Sequence, residues 1–439
     1  MDDFYLMDEM VGMFINPGER FREYVYTNND KKILRELAGQ KLEIASLSVH
    51  KERISMWKSL NDLKDVRPMV WINEIPWHEM NVDDQLTCRT STEFTRTLET
   101  RLRRSIYRWK YLPVDMIVES TMPCYLEIEN TGFGISELLD VSRTDESSNI
   151  ISRDFRSQIE NEEDLEKIKT PKIDFKKNDT EKKFEAMRDI FEDILEVKKA
   201  GYPGFWFSPW DELIRWWNVQ KLLLDLILKP ELVHKAMKKL TNAYLNQLDQ
   251  FESQSLLSSN NGNFRIGSGA LGYTNELPER NSNDTKVKTK DIWGSSAAQI
   301  FSSVSPDMHV EFALQYEIQW MKRFGLNYYG CCEPLDKKID ILKKIPNLRK
   351  ISMSPWVDLE LGAKNIGRDY VFSYKPSPSI FAGDNWDSEA VREKLKKDLE
   401  KIKVCNVEII MKDISTVKYK PQRLWEWAKI AREVAQGFE

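Results

Sequence analysis

The chain has 439 residues, 65 of them basic and 70 acidic, for a net charge of −5 at pH 7. So even a balance gives no global field to hold nucleic acid or an anionic membrane. Five cysteines, two of them adjacent, are a poor disulfide framework for this length and point to a reducing, cytosolic setting.

The opening Met1-Asp2-Asp3-Phe4 carries no basic-then-apolar signal, and no run of about twenty apolar residues would span a bilayer. Residues 1–30 read as a leader, and 31–63 as one or two helices with Ile33, Leu34, Leu37, Leu42, Ile44 and Ala45 near helical spacing. The first convincing strand is 67–74, an apolar run ending in Asn73 and Glu74, followed by a loop with Trp77, His78 and Glu79. Residues 94–109 form a basic amphipathic helix with a solvated face. A second strand, 114–119, ends in Glu119, and 125–135 reads as a hairpin or loop around Gly132 and Gly134. The charged stretch 160–198 reads as outer helix broken near Pro171.

A third strand, 204–211, ends in Trp210 and Asp211, and helices follow at 212–228 and 230–254. A short strand, 263–267, runs into the glycine-rich Gly267-Ser268-Gly269-Ala270-Leu271-Gly272. A dinucleotide fingerprint is rejected there, because the following 273–278 does not start a helix. Residues 292–301 supply another element, and Ser305-Pro306-Asp307 opens a helix over 307–324.

The segment 326–336 is the chemical centre of the sequence. A strand, 326–329, breaks at Gly330 and releases Cys331, Cys332 and Glu333; both cysteines read equally as small buried apolar residues. The rhythm then becomes regular. Strands 349–354, 370–373 and 406–411 alternate with helices 337–344, 358–366, 387–403 and 420–437. About eight strand–helix units predict an α/β protein, a (β/α)8 TIM barrel over 67–439 with a helical leader, 1–66, packed on it.

Parallel barrels place their chemistry at the carboxyl ends of the strands. Those ends carry Asn73, Glu74, His78, Glu79, Glu119, Trp210, Asp211, Tyr273, Glu276, Tyr329, Cys331, Cys332, Glu333, Ser354, Trp356, Lys375, Lys412 and Asp413. No serine elbow or P-loop is among them. One reading holds zinc with a cysteine thiolate, Glu333 and Asp413, with His78 as the best imidazole candidate. His234 reads as surface and His309 as structural. A second uses paired carboxylates such as Glu74 and Glu119 for acid–base work. A third is a barrel that binds without catalysis.

From about Arg67 onward the chain resembles the uroporphyrinogen decarboxylase-like superfamily, which includes corrinoid-dependent methyltransferases. The resemblance is carried by Arg67-Pro68-Met69-Val70-Trp71-Ile72 after a helical leader, by Ser305-Pro306-Asp307 before Tyr328-Tyr329-Gly330-Cys331-Cys332, and by Glu408-Ile409-Ile410-Met411-Lys412-Asp413-Ile414. It implies a (β/α)8 barrel, often dimeric. The methyltransferase branch holds zinc with a His-x-Cys motif and a later cysteine. Here Cys331 or Cys332 matches the first cysteine, the histidine position falls on Tyr329 or Gly330, and the final cysteine position falls near Asp413. The decarboxylase branch uses an arginine-rich leader, for which Lys51-Glu52-Arg53 is a weak stand-in.

The resemblance therefore implies a substrate-side methyltransferase acting on a small methylated compound, with a methylcorrinoid carried by a partner protein. Zinc would sit among Cys331, Cys332, Glu333 and Asp413. Trp71, Trp77, Trp210 and Trp356 would wall the pocket, with Asn73, Asp211, Tyr273, Glu276 and Tyr329 as further substrate contacts. His78, Glu74, Glu119 and Lys412 would handle protons and charge. The alternative is a carboxy-lyase, with Lys375 or Lys412 pairing a substrate carboxylate.

Overall fold

The computed structural model describes residues 23–142, 152–278 and 286–438. Its strands in chain order are β1 (Met69–Ile72), β2 (Thr121–Tyr125), β3 (Ile128–Asn130), β4 (Leu139–Ser142), β5 (Ser152–Phe155) and β6 (Ile173–Phe175). They continue with β7 (Glu196–Ala200), β8 (Trp293–Ser296), β9 (Leu326–Tyr329), β10 (Leu348–Met353), β11 (Val371–Tyr374) and β12 (Asn406–Met411).

Six of them form one parallel sheet in the order β1-β12-β11-β10-β9-β8, so the last strand lies beside the first. Parallel sheets bury both faces, which is why a strand such as β12 reads almost continuously apolar (Val407, Ile409, Ile410, Met411) and is buried throughout. Backbone contacts continue past both edges. Asp115 N donates to Val70 O at 3.1 Å beyond β1, and Phe207 pairs in parallel with Ser296 beyond β8. Between these two segments Tyr202 pairs with Leu257, and Asn263 Nδ2 donates to Ile117 O at 3.0 Å.

The helix Asn28–Ala45 starts at a capping box, in which Thr27 and Asp30 each satisfy the other's backbone N–H. Asp30 also accepts from Ser91 N at 2.8 Å, which ties this helix to the helix Glu93–Tyr111. The two share a separate core of Leu34, Leu37, Phe94, Leu98, Met187 and Phe191.

Several sequence expectations are corrected. Residues 114–119 are buried but form no ladder; the second strand is β2, paired in parallel with β7. The third expected strand is reduced to one isolated bridge, Phe207 to Ser296, and Pro209 then starts the helix Pro209–Trp217, placing Trp210 and Asp211 on its first turn. The stretch 125–135 forms no local hairpin, since β3 pairs with the distant β6. Segment 160–198 contains two strands, β6 and β7, besides the helix Lys177–Phe191. Residues 263–267 make only one isolated bridge, Arg265 to Leu271. The helix expected at 307–324 contains a π-helical turn, Val310–Leu314. Residues 1–22 of the expected leader lie outside the described residues.

Candidate functional site

Alternation along parallel strands decides which side chains meet. On one face Tyr328 OH donates to Ser373 Oγ at 3.0 Å, and Lys350 Nζ pairs with Glu408 at 2.9 Å. Ser352, two positions after Lys350, and Lys412, four after Glu408, point the same way. Tyr329 falls on the opposite face. It is fully buried among His309 and Glu317, bonded at 2.7 and 2.8 Å, and takes no part in the thiol site. The residue on the productive face is its neighbour Tyr328, missed because the strand was read for its end and not for its period.

Three chain turns then assemble the centre. Gly330 has φ +94°, which releases Cys331 from the strand, and a Cβ there would lie 2.5 Å from Leu335. Glu74 and Asp413, just past the ends of the adjacent strands β1 and β12, both have positive φ, 51° and 57°. Asp413 N donates to Glu74 Oε2 at 3.0 Å. Left-handed backbone at a glutamate is uncommon and is held only when its surroundings over-determine it.

Lys412 sits in the middle. Its ammonium is 3.4 Å from Cys331 Sγ, 3.7 Å from Cys332 Sγ, 3.0 Å from Asp413 Oδ2 and 3.9 Å from Glu74 Oε2. The two sulfurs are 3.5 Å apart, and Arg265, not singled out in the sequence, pairs with Glu74 at 3.2 Å. Cys331 is 4% exposed, whereas Cys332 and Asp413 form the half-open lip.

The charges follow from this packing. The hydrogen bond from Cys332 pulls the Cys331 thiol well below its ordinary value; burial opposes it, and Lys412 and Lys375 add to the pull. Cys332, as the donor and partly buried, is pushed up. Burial works against the Lys412 ammonium, but Cys331, Glu74, Cys332 and Asp413 together raise it well above its usual value. Burial lifts Glu74 above its ordinary value; at Asp413 burial also works upward, but Lys412 and Glu74 together bring it below. Asp211 is raised by burial, with the Cys331 charge contributing.

This donor set does not make a zinc cage as folded. Zinc needs sulfur at about 2.3 Å and oxygen near 2.0–2.2 Å, and an ammonium already occupies the space between the thiols and Asp413. Glu333 is turned into the fold, accepting from Cys331 N at 2.8 Å and Ala298 N at 3.3 Å. Among the described residues no three His, Cys, Asp or Glu side chains converge as metal ligands.

The remaining candidates scatter. Glu79 holds the loop after β12 through Thr416 Oγ1 and the Val417 and Tyr419 N–H groups, and His78 lies 3.6 Å from it at the surface. Tyr273 OH donates to Glu119 at 3.3 Å, away from the thiols. Glu276 pairs with Arg349 at the opening end of β10, the wrong end of the sheet. Trp71 is buried, bonded to Asn73 at 2.6 Å and covered by Arg108; Trp77 lies under Arg104. Trp210 packs edge-on to Phe301 in the core. No aromatic wall forms.

Trp356 is instead 78% exposed. It borders a cleft of about 530 Å³ shared with Ser354, Tyr374, Lys375 and Lys394. Lys375 links this cleft to the centre. Its ammonium reaches Tyr328 OH at 3.0 Å, Cys331 O at 3.4 Å, and Ser352 Oγ. His234 is half-buried, stacked on Phe312 and bonded to Tyr316.

No family model matches the chain, and no curated protein does. Among solved structures, a methyltransferase from Methanosarcina mazei aligns with a TM-score of 0.46 at 11% identity, over 88% of this chain and 98% of that one. No helix among the described residues is long and apolar enough to cross a membrane.

Proposed function

We propose that this chain is a group-transfer enzyme that takes a methyl group from a small methylated compound onto the Cys331 thiolate. The observation that carries this is the buried Lys412 ammonium placed between two sulfurs and two carboxylates. A thiolate is the nucleophilic form of cysteine, and an adjacent cation keeps it ionised near neutral pH. In the step, the Cys331 sulfur forms a bond to the methyl carbon as the carbon–heteroatom bond breaks. The leaving heteroatom takes the electron pair and a proton from Glu74, whose carboxyl burial raises above its ordinary value. The onward acceptor, on the resemblance described above, is a corrinoid carried by a partner protein, which supplies a stronger nucleophile than the thiolate.

The same reading includes closure of the sheet into a (β/α)8 barrel. Lys412 follows β12 and Cys331 follows β9, with β10 and β11 between them. In a flat sheet those positions would be about 14 Å apart, three strand spacings. Their side-chain contact supports a curled sheet, as do the backbone contacts beyond β1 and β8. The lyase alternative has weaker support. Lys375 and Lys412 are already engaged by neighbours, and the Asp413 carboxylate would repel a substrate carboxylate.

Methyl iodide tests the reading without a known substrate. Near pH 6 the buried Cys331 should be methylated faster than the more exposed Cys88 by at least about tenfold, and Lys412→Met should erase that preference. Peptide mass spectrometry reads both. Equal or slower reaction at Cys331 would overturn the assignment.

A further inference from the structure

Transfer chemistry of the kind proposed needs one thiolate, yet the turn presents a second cysteine sulfur beside it. Among the described residues, the polar partners of the Cys332 sulfur are Cys331, Lys412 and Asp413, at 3.5, 3.7 and 3.7 Å. It stands on the half-open lip while Cys331 lies beneath it. The other cysteines, Cys88, Cys124 and Cys405, lie elsewhere, with Cys88 beside Thr100 and Cys405 against Ala363 O. Gly330 and the break in β9 leave the 331–332 pair outside any ladder, so its backbone is not tied to a sheet register.

We infer that Cys331 and Cys332 form a reversible dithiol–disulfide couple that exchanges with small-molecule disulfides and switches the thiolate off. The Cys331 thiolate attacks a disulfide RS–SR, forming Cys331–S–SR and releasing RS⁻. Cys332 then gives up its proton, with Asp413 Oδ2 as the nearest base, and attacks the Cys331 sulfur, expelling the second RS⁻. Two electrons pass from the pair to RS–SR; the Cys332 proton ends on one released RS⁻, and the other takes its proton from solvent. In the closed form no thiolate faces Lys412, whose ammonium keeps Asp413 and Glu74 as partners. The couple needs only the sulfur pair and its cation, so it can hold or fail independently of methyl transfer.

Oxidised glutathione is the probe, with the full-length protein. The tryptic peptide 324–337 contains both thiols and no other cysteine. In wild type it should become lighter by two hydrogens and regain its mass with a reductant. Cys332→Ser should trap glutathione on Cys331 instead. Lys412→Met should slow closure roughly tenfold, and Lys412→Arg, which keeps the charge, should restore it. The inference is overturned if wild type holds a stable glutathione adduct on this peptide without closing, if only Cys88 reacts, or if Cys332→Ser reacts as wild type does. A redox result without methylation of Cys331 would leave the couple standing and remove the transfer reading.

Discussion

Lys338 donates toward His309 Nδ1 at 3.2 Å, His309 Nε2 lies 2.7 Å from Tyr329 OH, and that hydroxyl donates to Glu317. Burial forces this relay to stay nearly neutral. It holds His309 down to about 3 and lifts Glu317 to about 8. The sign of the stability effect follows. Glu317 has a folded value above its ordinary 4.5, so its favourable contribution is complete below 4.5 and is lost as pH rises through about 8. Glu317→Gln keeps the shape without a titrating group. Denaturant titrations from acid to mildly alkaline pH should show wild type losing stability relative to that variant, at up to about 1.4 kcal/mol per pH unit. A pH-independent difference would mean that Glu317 is ionised in the fold. The relay was half legible in the sequence: His309 reads there as structural, but its partner Tyr329 reads as part of the site. Nothing in a one-dimensional pattern says which of two consecutive tyrosines faces inward.

At the scale of elements, the glycine-rich turn 267–269 is the piece whose purpose emerges only from packing. It lies against the polar face of the sheet, where Ser268 Oγ bonds Gly330 O at 3.0 Å and Asn73 Nδ2 bonds Gly269 O at 3.1 Å. A Cβ on Gly269 would stand 2.5 Å from both Glu408 Oε1 and a ring carbon of Tyr328. Gly269→Ala should therefore cost about 1–3 kcal/mol by overpacking, measured as a lower urea midpoint with an unchanged slope. A neutral result would mean that the turn can lift off the sheet. The turn also supports the thiol site, because it fixes the carbonyl of the residue that precedes Cys331. Rejecting a dinucleotide fingerprint was within reach of the sequence; finding what the glycines pack against was not.

Across the whole molecule, the central sheet is held by a buried ion pair between strands that are not neighbours. Lys350 on β10 and Glu408 on β12 are both fully buried and bridge over β11 at 2.9 Å. Removing one partner leaves the other charge stranded in a low-dielectric interior. Lys350→Met should cost about 3–5 kcal/mol, and the double change with Glu408→Gln should recover most of that loss. Unfolding free energies around this double-mutant cycle give the coupling directly. Additive losses would show that the pair does not hold the strands together. The ion pair spans two strand spacings and Lys412 to Cys331 spans three, so both the pair and the candidate site join side chains from strands that are not neighbours.

The sequence by itself determined the alternation of strands and helices after residue 326, the parallel character of the sheet, and the clustering of thiol and charged side chains at Gly330–Glu333 and Lys412–Asp413. Local apolar period and glycine punctuation are enough for that, because each depends on residues close together in the chain. It placed strands at 114–119 and 204–211 that the fold does not build, because ladder formation depends on a partner elsewhere. Only the tertiary structure decided that Lys412 fills the space between the thiols and Asp413, that Glu333 turns inward, and that Trp71 and Trp210 go into the core while Trp356 stays exposed. Those outcomes depend on sheet curvature and on which strands become neighbours, and both are set by contacts between residues far apart in the chain.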